Sequence, residues 1–374
     1  MKTEVINIKD LPDAQAAVAR AHSVLESGGL VAFPTETVYG LAANADLPRA
    51  IELLREIKER PDEKPFTLHI GNRATLDMYV PDLSLLNRQF LRKAWPGPLT
   101  AVFMLNASQM ERIHGTLSEQ RRKALFHNNS IGIRLPDDRV SQMMLSSFPS
   151  PVVAPSANRA GQAPPINAED VLVQLDGKIE LVLNCGTTRY SQASTIVKLE
   201  GDSMQVLRRG VLDEEMLRRM RSVTILFVCT GNTCRSPMAE GLCRRKLAEK
   251  LSCSVDQLDG KMYKIVSAGT MAFSGSPATP EAVQACRELG VDITDHHSKI
   301  LTLDLVNQAD YIFVMDRPHY QAVLSLNPLA ESRTVLLGRD QSVTDPIGMQ
   351  VDGYRKCVQF IKKYVDERMD ELFR

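Results

Sequence analysis

The sequence predicts an α/β chain of two domains in tandem, and three observations carry that expectation. A length of 374 residues is more than one hydrophobic core usually organises and suits two domains that each bury their own. Apolar runs rich in β-branched residues alternate with helix-periodic stretches in both halves. Between them Leu212 to Ser222, LDEEMLRRMRS, is charged and helix-favouring, without the Gly and Ser of a floppy tether, and reads as a brief helical connection. The domains are therefore placed at residues 1–212 and 222–374.

The first domain opens with a helix over Pro12 to Glu26, ended by Gly28 and Gly29, and a strand over Leu30 to Phe33. PTETVYGLAANA, Pro34 to Ala45, then sets threonines, Glu36 and Tyr39 against Gly40 and small residues, and reads as a loop after a strand, a usual position for ligand groups. A helix from Leu47 to Arg60 carries Ile51, Leu54 and Ile57 on one face and stops against Pro61. In KERPDEKP the cations Lys58, Arg60 and Lys64 converge where that helix ends. Pro61 and Pro65 hold the segment on a fixed extended course, and fixed cations suit a triphosphate. WPGPLT (Trp95 to Thr100), IGIRLPD (Ile131 to Asp137), APSANRAGQAPP (Ala154 to Pro165) and ASTIV at Ala193, leading to LRRG at Leu207, are turn signatures beside apolar strands.

Charge and cysteine usage narrow the setting. Forty-five basic against 45 acidic residues leave no net charge, which argues against a chain-wide electrostatic attachment to nucleic acid or membrane. No apolar run reaches the roughly 20 residues of a membrane span, and the polar N-terminus is unlike a signal peptide, so a cytoplasmic protein is expected. Seven cysteines at irregular spacing suit a reducing compartment, and no metal-ligand spacing occurs.

The second domain is organised around Ile225 to Glu240, ILFVCTGNTCRSPMAE. Val223 to Val228 reads as a buried strand that stops at a loop opening a helix, with Pro237 suited to its first position. The loop holds Cys229 and Arg235. Backbone N–H groups at a helix N-terminus stabilise a thiolate, so the Cys229 pKa is expected at roughly 3.5–7.5, and the same cradle binds a phosphate dianion. Arg235 adds a planar charged fork matched to two phosphate oxygens, and Ser236 is placed to cap the helix or donate to the sulfur.

Six ordered segments of the front half, PTETVYGLAANA, KERPDEKPFTLHI, WPGPLT, GIRLPD, PSAN and STIV, resemble the threonylcarbamoyl-adenylate synthase (YrdC/Sua5-like) family over about residues 10–212. The resemblance implies a twisted α/β domain with a large basic cavity that condenses L-threonine, bicarbonate and ATP into threonylcarbamoyl-AMP for tRNA adenosine modification, releasing pyrophosphate. It assigns Lys58, Arg60, Ser156, Asn158 and Arg208 to ATP, and Thr35, His69, Arg134 and Ser194 to threonine. Mg²⁺ is expected with ATP, without a tightly bound cofactor or a protein metal cage, and tRNA-modifying enzymes are the implied partners. Pro155 stands where the family commonly has Thr, which removes a hydroxyl from the site.

The back half resembles the low-molecular-weight protein tyrosine phosphatase family over about residues 222–374, through the Cys229 string, SAGT (Ser267 to Thr270), DHHSKILT (Asp295 to Thr302), YIFVMDRPH (Tyr311 to His319) and TDPIG (Thr344 to Gly348). The resemblance implies a doubly wound parallel sheet and a phosphoprotein substrate. Cys229 would attack phosphorus, Arg235 and the Gly231–Ser236 loop would hold the phosphate oxygens, and Asp345 would act as general acid and then base. It also implies that Asn232 braces the loop and that Cys234 traps an oxidised Cys229 as a reversible disulfide. Thr233, where tyrosine phosphatases of the family commonly carry a bulkier aliphatic residue, and Ile347, where an aromatic wall for phosphotyrosine would stand, favour phosphoarginine; one threonine does not exclude phosphotyrosine. A rival reading makes the front half an RNA-binding module without synthase activity.

Overall fold

The computed structural model describes residues 2–59 and 65–373, which form two units, residues 1–220 and 221–374. Each is built around its own sheet.

In the first unit β1 (Glu4–Asn7), α1 (Leu11–Glu26), β2 (Val31–Phe33), β3 (Gly40–Asn44), α2 (Pro48–Lys58) and β4 (Leu68–His69) lead into α3 (Leu76–Tyr79), α4 (Leu85–Ala94) and β5 (Leu99–Met104). There follow α5 (Ala107–Thr116), α6 (Glu119–Leu125), β6 (Ser130–Arg134), α7 (Arg139–Ser147) and β7 (Val152–Val153). The unit closes with α8 (Ala168–Leu175), β8 (Leu181–Asn184), β9 (Thr195–Glu200), β10 (Ser203–Arg208) and α9 (Glu214–Arg221). The ten strands make one mixed sheet in the order β1-β8-β2-β3-β7-β4-β6-β5-β9-β10. Side chains alternate across it: Val31, Phe33 and Ala42 pack with α1 and α7, whereas Ala32, Leu41 and Ala43 join the larger core on the other face. The helical connection is α9, whose Leu217 is buried in that larger core, so the first unit runs past residue 212.

Two expectations are corrected. The stretch expected as a loop after Phe33 contains β3, paired antiparallel with β2 through Phe33↔Gly40. A Cβ at Gly40 would stand 2.8 Å from the Phe33 ring, so glycine permits this close pairing. The second helix ends at Lys58 rather than Arg60, because Glu59 turns left-handed (φ 44°) and its N–H caps the carbonyls of Arg55 and Glu56. Arg60 to Lys64 lie outside the described residues.

The second unit carries β11 (Val223–Cys229), α10 (Arg235–Lys250), β12 (Tyr263–Gly269), α11 (Pro280–Arg287), α12 (Leu303–Gln308), β13 (Tyr311–Val314), α13 (Arg317–Leu326), β14 (Thr334–Leu336) and α14 (Val351–Leu372). Its four strands are all parallel in the order β12-β11-β13-β14. Central β11 is buried at every residue, which explains a continuous apolar run in place of an alternating one. Leu226 and Val228 pack toward α12 and α13, and the Phe227–Phe313 stack lies on the other face, where Arg368 of α14 covers Phe313. This is a doubly wound sheet, and in such sheets ligand groups collect beyond the carboxyl ends of the strands. Cys229 ends β11, and the loop after β13 brings Asp316 to the same edge.

Candidate active sites

In the first unit the strands end around a cavity of about 480 Å³. Sheet register puts His69 beside Arg134 and Arg134 beside Thr100, while Ser194 precedes β9 and Arg208 ends β10. All of these line the cavity, with Thr35, Lys58 and Ser156. Lys58 Nζ donates to the Ser156 carbonyl (3.1 Å), the Asn158 carbonyl (2.6 Å) and Asn158 Oδ1 (3.0 Å). Asn158 is not in the wall: it is buried behind it, where Oδ1 also accepts from Ser156 Oγ and Nδ2 donates to the carbonyls of Arg159 and Gln162. Asn158 therefore fixes the lysine and the serine, which reach the cavity.

Arg134 is the buried charge of this site. Its Nη2 donates to Glu36 Oε1 (3.0 Å), Thr37 Oγ1 (2.6 Å) and Thr35 Oγ1 (3.2 Å), and Glu36 is itself buried and held by the Asp137 N–H (3.0 Å). Glu36 and Thr37 were not assigned from sequence; an acidic residue inside a run of buried small residues is the signal that could have found the first. The Arg134 Nε–H is buried without a hydrogen-bond partner. His69 donates from Nδ1 to the Thr67 carbonyl (3.2 Å), which leaves Nε2 as an acceptor. Burial and the Arg134 charge push its pKa down to about 3, so the ring is neutral at ordinary pH. Ser194 Oγ pairs with Thr100 Oγ1 (3.0 Å), and Arg208 Nη2 donates to the Ser194 carbonyl (2.8 Å). The Arg208 pKa is lowered by desolvation and by Arg134, the mutual repulsion expected of two cations around a space suited to an anion.

In the second unit the loop after β11 wraps the Cys229 sulfur, which meets Ser236 Oγ at 2.9 Å and the Asn232 N–H at 3.2 Å. Asn232 adopts a left-handed conformation (φ 56°) held by three side-chain bonds: Nδ2 to Ser236 Oγ (2.8 Å), Nδ2 to Ser267 Oγ (2.8 Å), and Oδ1 from the Lys299 N–H (2.7 Å). Its carbonyl accepts from His296 Nε2 at 2.7 Å. Gly231 and Thr233 lie side by side, with Thr233 Oγ1 3.5 Å from where a Gly231 Cβ would be. Arg235 is buried, and its guanidinium reaches Asp345 Oδ2, Asp316 Oδ2 (3.3 Å), Thr230 Oγ1 (3.1 Å) and the Val343 carbonyl (3.2 Å).

One expectation changes here: burial pushes the Cys229 thiol up from its ordinary value, although Ser236, Asn232 and Arg235 pull the other way. The Cys234 sulfur lies 3.5 Å from both Thr279 Oγ1 and Tyr354 OH. Phe273 is 86% exposed on a segment whose Met271 N–H donates to the Thr230 carbonyl (2.9 Å). Asp316, Ser267, His296 and Lys299 escaped sequence assignment because each meets the loop from a distant segment.

Fold and site thus define two phosphate-handling α/β units, the first with a concave basic cavity and the second of the Cys-x5-Arg phosphatase class. The family model Sua5/YciO/YrdC, described as telomere recombination, matches residues 23–210, and that of low molecular weight phosphotyrosine protein phosphatase matches residues 224–374. The chain belongs to both families, one in each half, and is a fusion of the two. It is 29% identical over 264 residues to a threonylcarbamoyl-AMP synthase of Pyrococcus abyssi, covering 70% of this chain and 74% of that protein. It is 36% identical over 145 residues to a protein of Ralstonia nicotianae named probable low molecular weight protein-tyrosine-phosphatase EpsP, covering 38% of this chain and 91% of that one. A solved structure of a doubly substituted P. abyssi Sua5, 23% identical, covers 89% of this chain and 98% of its own at a TM-score of 0.50, which shows the fold. Among the described residues no helix is long and apolar enough to cross a membrane.

Proposed function

We propose that the first unit condenses L-threonine, bicarbonate and ATP into threonylcarbamoyl-AMP. The observation that carries this reading is the convergence of Arg134, Lys58 and Arg208 on the wall of one cavity. The Arg134 guanidinium attracts the threonine carboxylate by its charge, while neutral His69 accepts an N–H from the amino acid. Lys58, Ser156 and Arg208 take the nucleotide, with Mg²⁺ entering as part of the ATP substrate. A carbamate oxygen then attacks the α-phosphorus and pyrophosphate leaves, a reaction that asks the protein for positioning and charge neutralisation. Pyrophosphate release that needs both threonine and bicarbonate is the expected result. Salt-sensitive tRNA binding with no threonine-dependent release refutes it in favour of an RNA-binding module.

For the second unit we infer hydrolysis of phosphoproteins through a cysteinyl-phosphate, with phosphoarginine preferred. Cys229 attacks phosphorus, the loop N–H groups and Arg235 hold the equatorial oxygens, and Asp345 protonates the leaving group and then activates water. The Arg235–Asp345 contact must open as phosphate enters, which frees Asp345 to face the leaving group. Thr233, in place of a bulkier aliphatic residue, supports the phosphoarginine preference. Phosphate release from a phosphoarginine protein and a phosphotyrosine peptide, compared in wild type and Thr233→Ile, separates the two. Wild-type preference for phosphotyrosine refutes the arginine reading.

A further inference from the structure

The wall of the cavity assigned to synthesis is one-sided in charge. Among the described residues it carries Lys58 at the end of α2, Arg134 of β6 and Arg208 of β10, and no Asp or Glu. Its other titratable groups are His69 of β4, His127 and Tyr39. His69 is neutral, held down to about 3 by burial and by Arg134. Burial, with Asp138 and Glu169 adding to it, pushes the Tyr39 hydroxyl up, and that hydroxyl donates to the Gly186 carbonyl (2.8 Å). His127 Nε2 meets the Asn128 side-chain amide at 3.0 Å. Glu36 is not in the wall: its side chain is 0% exposed, and its two oxygens accept from Arg134 and from the Asp137 N–H.

Such a wall suits the carboxylate of an amino acid and not its ammonium. An ammonium entering it meets cations and no carboxylate to pair with. The wall's carbonyls, which could take its N–H groups, already accept from resident donors: Ser156 from Lys58, Ser194 from Arg208 and Thr67 from His69. Neighbouring cations and loss of water both favour the uncharged form of an amine. The His69 ring, which resists protonation, does not keep the proton that the amine gives up.

We propose that the cavity takes threonine as its amino-carboxylate anion, the ammonium proton passing to solvent as the amino acid binds. The inference rests on the reading of this cavity as the threonine site and adds the ionic form in which the substrate is held. That form is also the nucleophile the reaction needs. The neutral nitrogen bonds to the bicarbonate carbon, hydroxide leaves that carbon and takes up one amine proton as water, and a carbamate with one N–H remains. No protein side chain has to act as the base.

The full chain, free of nucleotide, is titrated with L-threonine by isothermal calorimetry at about pH 7.5 in HEPES and in Tris at constant ionic strength, since the two buffers take up a released proton with different heats. The same titration is run with 2,3-dihydroxybutanoate, which has a hydroxyl in place of the ammonium. Expected are release of about one proton per threonine bound and an affinity that rises about tenfold from roughly pH 6.5 to 7.5, with neither effect for the dihydroxy acid. Threonine binding without proton release overturns the proposal. The same release with both ligands also overturns it, because the proton then leaves a protein group. Should the dihydroxy acid fail to bind, His127→Gln decides by removing the remaining imidazole of the wall: release that persists supports the proposal, and release that disappears overturns it. Absence of saturable threonine binding at either pH overturns the threonine reading of the cavity, and this inference falls with it.

Discussion

Replacing Asn232 by Ala tests how the phosphatase loop is held. The substitution removes three buried side-chain hydrogen bonds, to Ser236, Ser267 and Lys299, worth about 1 kcal/mol each. It also leaves a β-carbon other than that of Asn in a left-handed conformation at φ 56°, which costs about 1 kcal/mol more. The second unit is therefore expected to lose about 4 kcal/mol, a fall in its melting temperature of roughly 8–16 °C for a domain of this size. The only tryptophan, Trp95, lies in the first unit, so its emission follows that unit alone while far-ultraviolet dichroism follows both. Expected is a lowered dichroism transition with an unmoved tryptophan transition, and loss of phosphatase turnover below either. Asn232→Gly removes the conformational strain but not the lost bonds, and it adds freedom to the unfolded chain, so it recovers at most about 1 kcal/mol. A glycine variant as stable as wild type would show that backbone strain, not bonding, explains the effect, and would refute the reasoning.

Asp345→Asn removes one of the two carboxylates that neutralise Arg235, so the Cys229 pKa falls and alkylation by iodoacetamide at pH 7 accelerates even as turnover is lost; a slower or unchanged alkylation rate contradicts this. His69 has a folded pKa of about 3 against an ordinary 6.5, so the folded state resists protonation, and stability present above pH 6.5 is lost as pH falls. Between pH 7 and 5 this amounts to about 2 kcal/mol in the first unit, which denaturant melts followed by Trp95 emission detect and His69→Gln abolishes. Gly40→Ala forces a methyl against the Phe33 ring and destabilises the first unit by about 1–3 kcal/mol in the same assay. Cys229→Ser abolishes phosphate release and leaves pyrophosphate release unchanged if the two sites act independently; loss of both refutes independence.

What the sequence made legible was local. The apolar run from Val223 and the turn residues after it act within a dozen residues, and strand, loop and helix follow in that order. The helix, however, begins at Arg235, two residues before the Pro237 expected at its first position, with Cys234 rather than Ser236 at the cap. The helix from Leu11 was legible because Asp10 caps it, accepting from the Asp13 N–H at 3.0 Å, and apolar residues recur on its inner face. β3 was missed because its Gly-Leu-Ala-Ala-Asn lacks β-branched residues, and its strand character comes from pairing with β2 and β7. The helix end at Glu59 was missed because a left-handed cap formed by glutamate leaves no glycine to mark it. Glu36 behind Arg134 and Asp316 beside Arg235 stand 98 and 81 positions from their partners in sequence, and only the folded sheet brings each pair together.

The two carboxylates on Arg235 also bear on how a phosphatase cycle ends. A guanidinium this deeply buried would be left as an isolated cation each time product departed, and that penalty would hold inorganic phosphate in place. With Asp316 and Asp345 at hand, phosphate leaves by exchange: one anion retires as another takes up the same N–H groups. The protein thus carries an internal competitor for its own product, which flattens the free-energy change of release and sets a floor on how weakly the site holds any anion that cannot outbid a carboxylate.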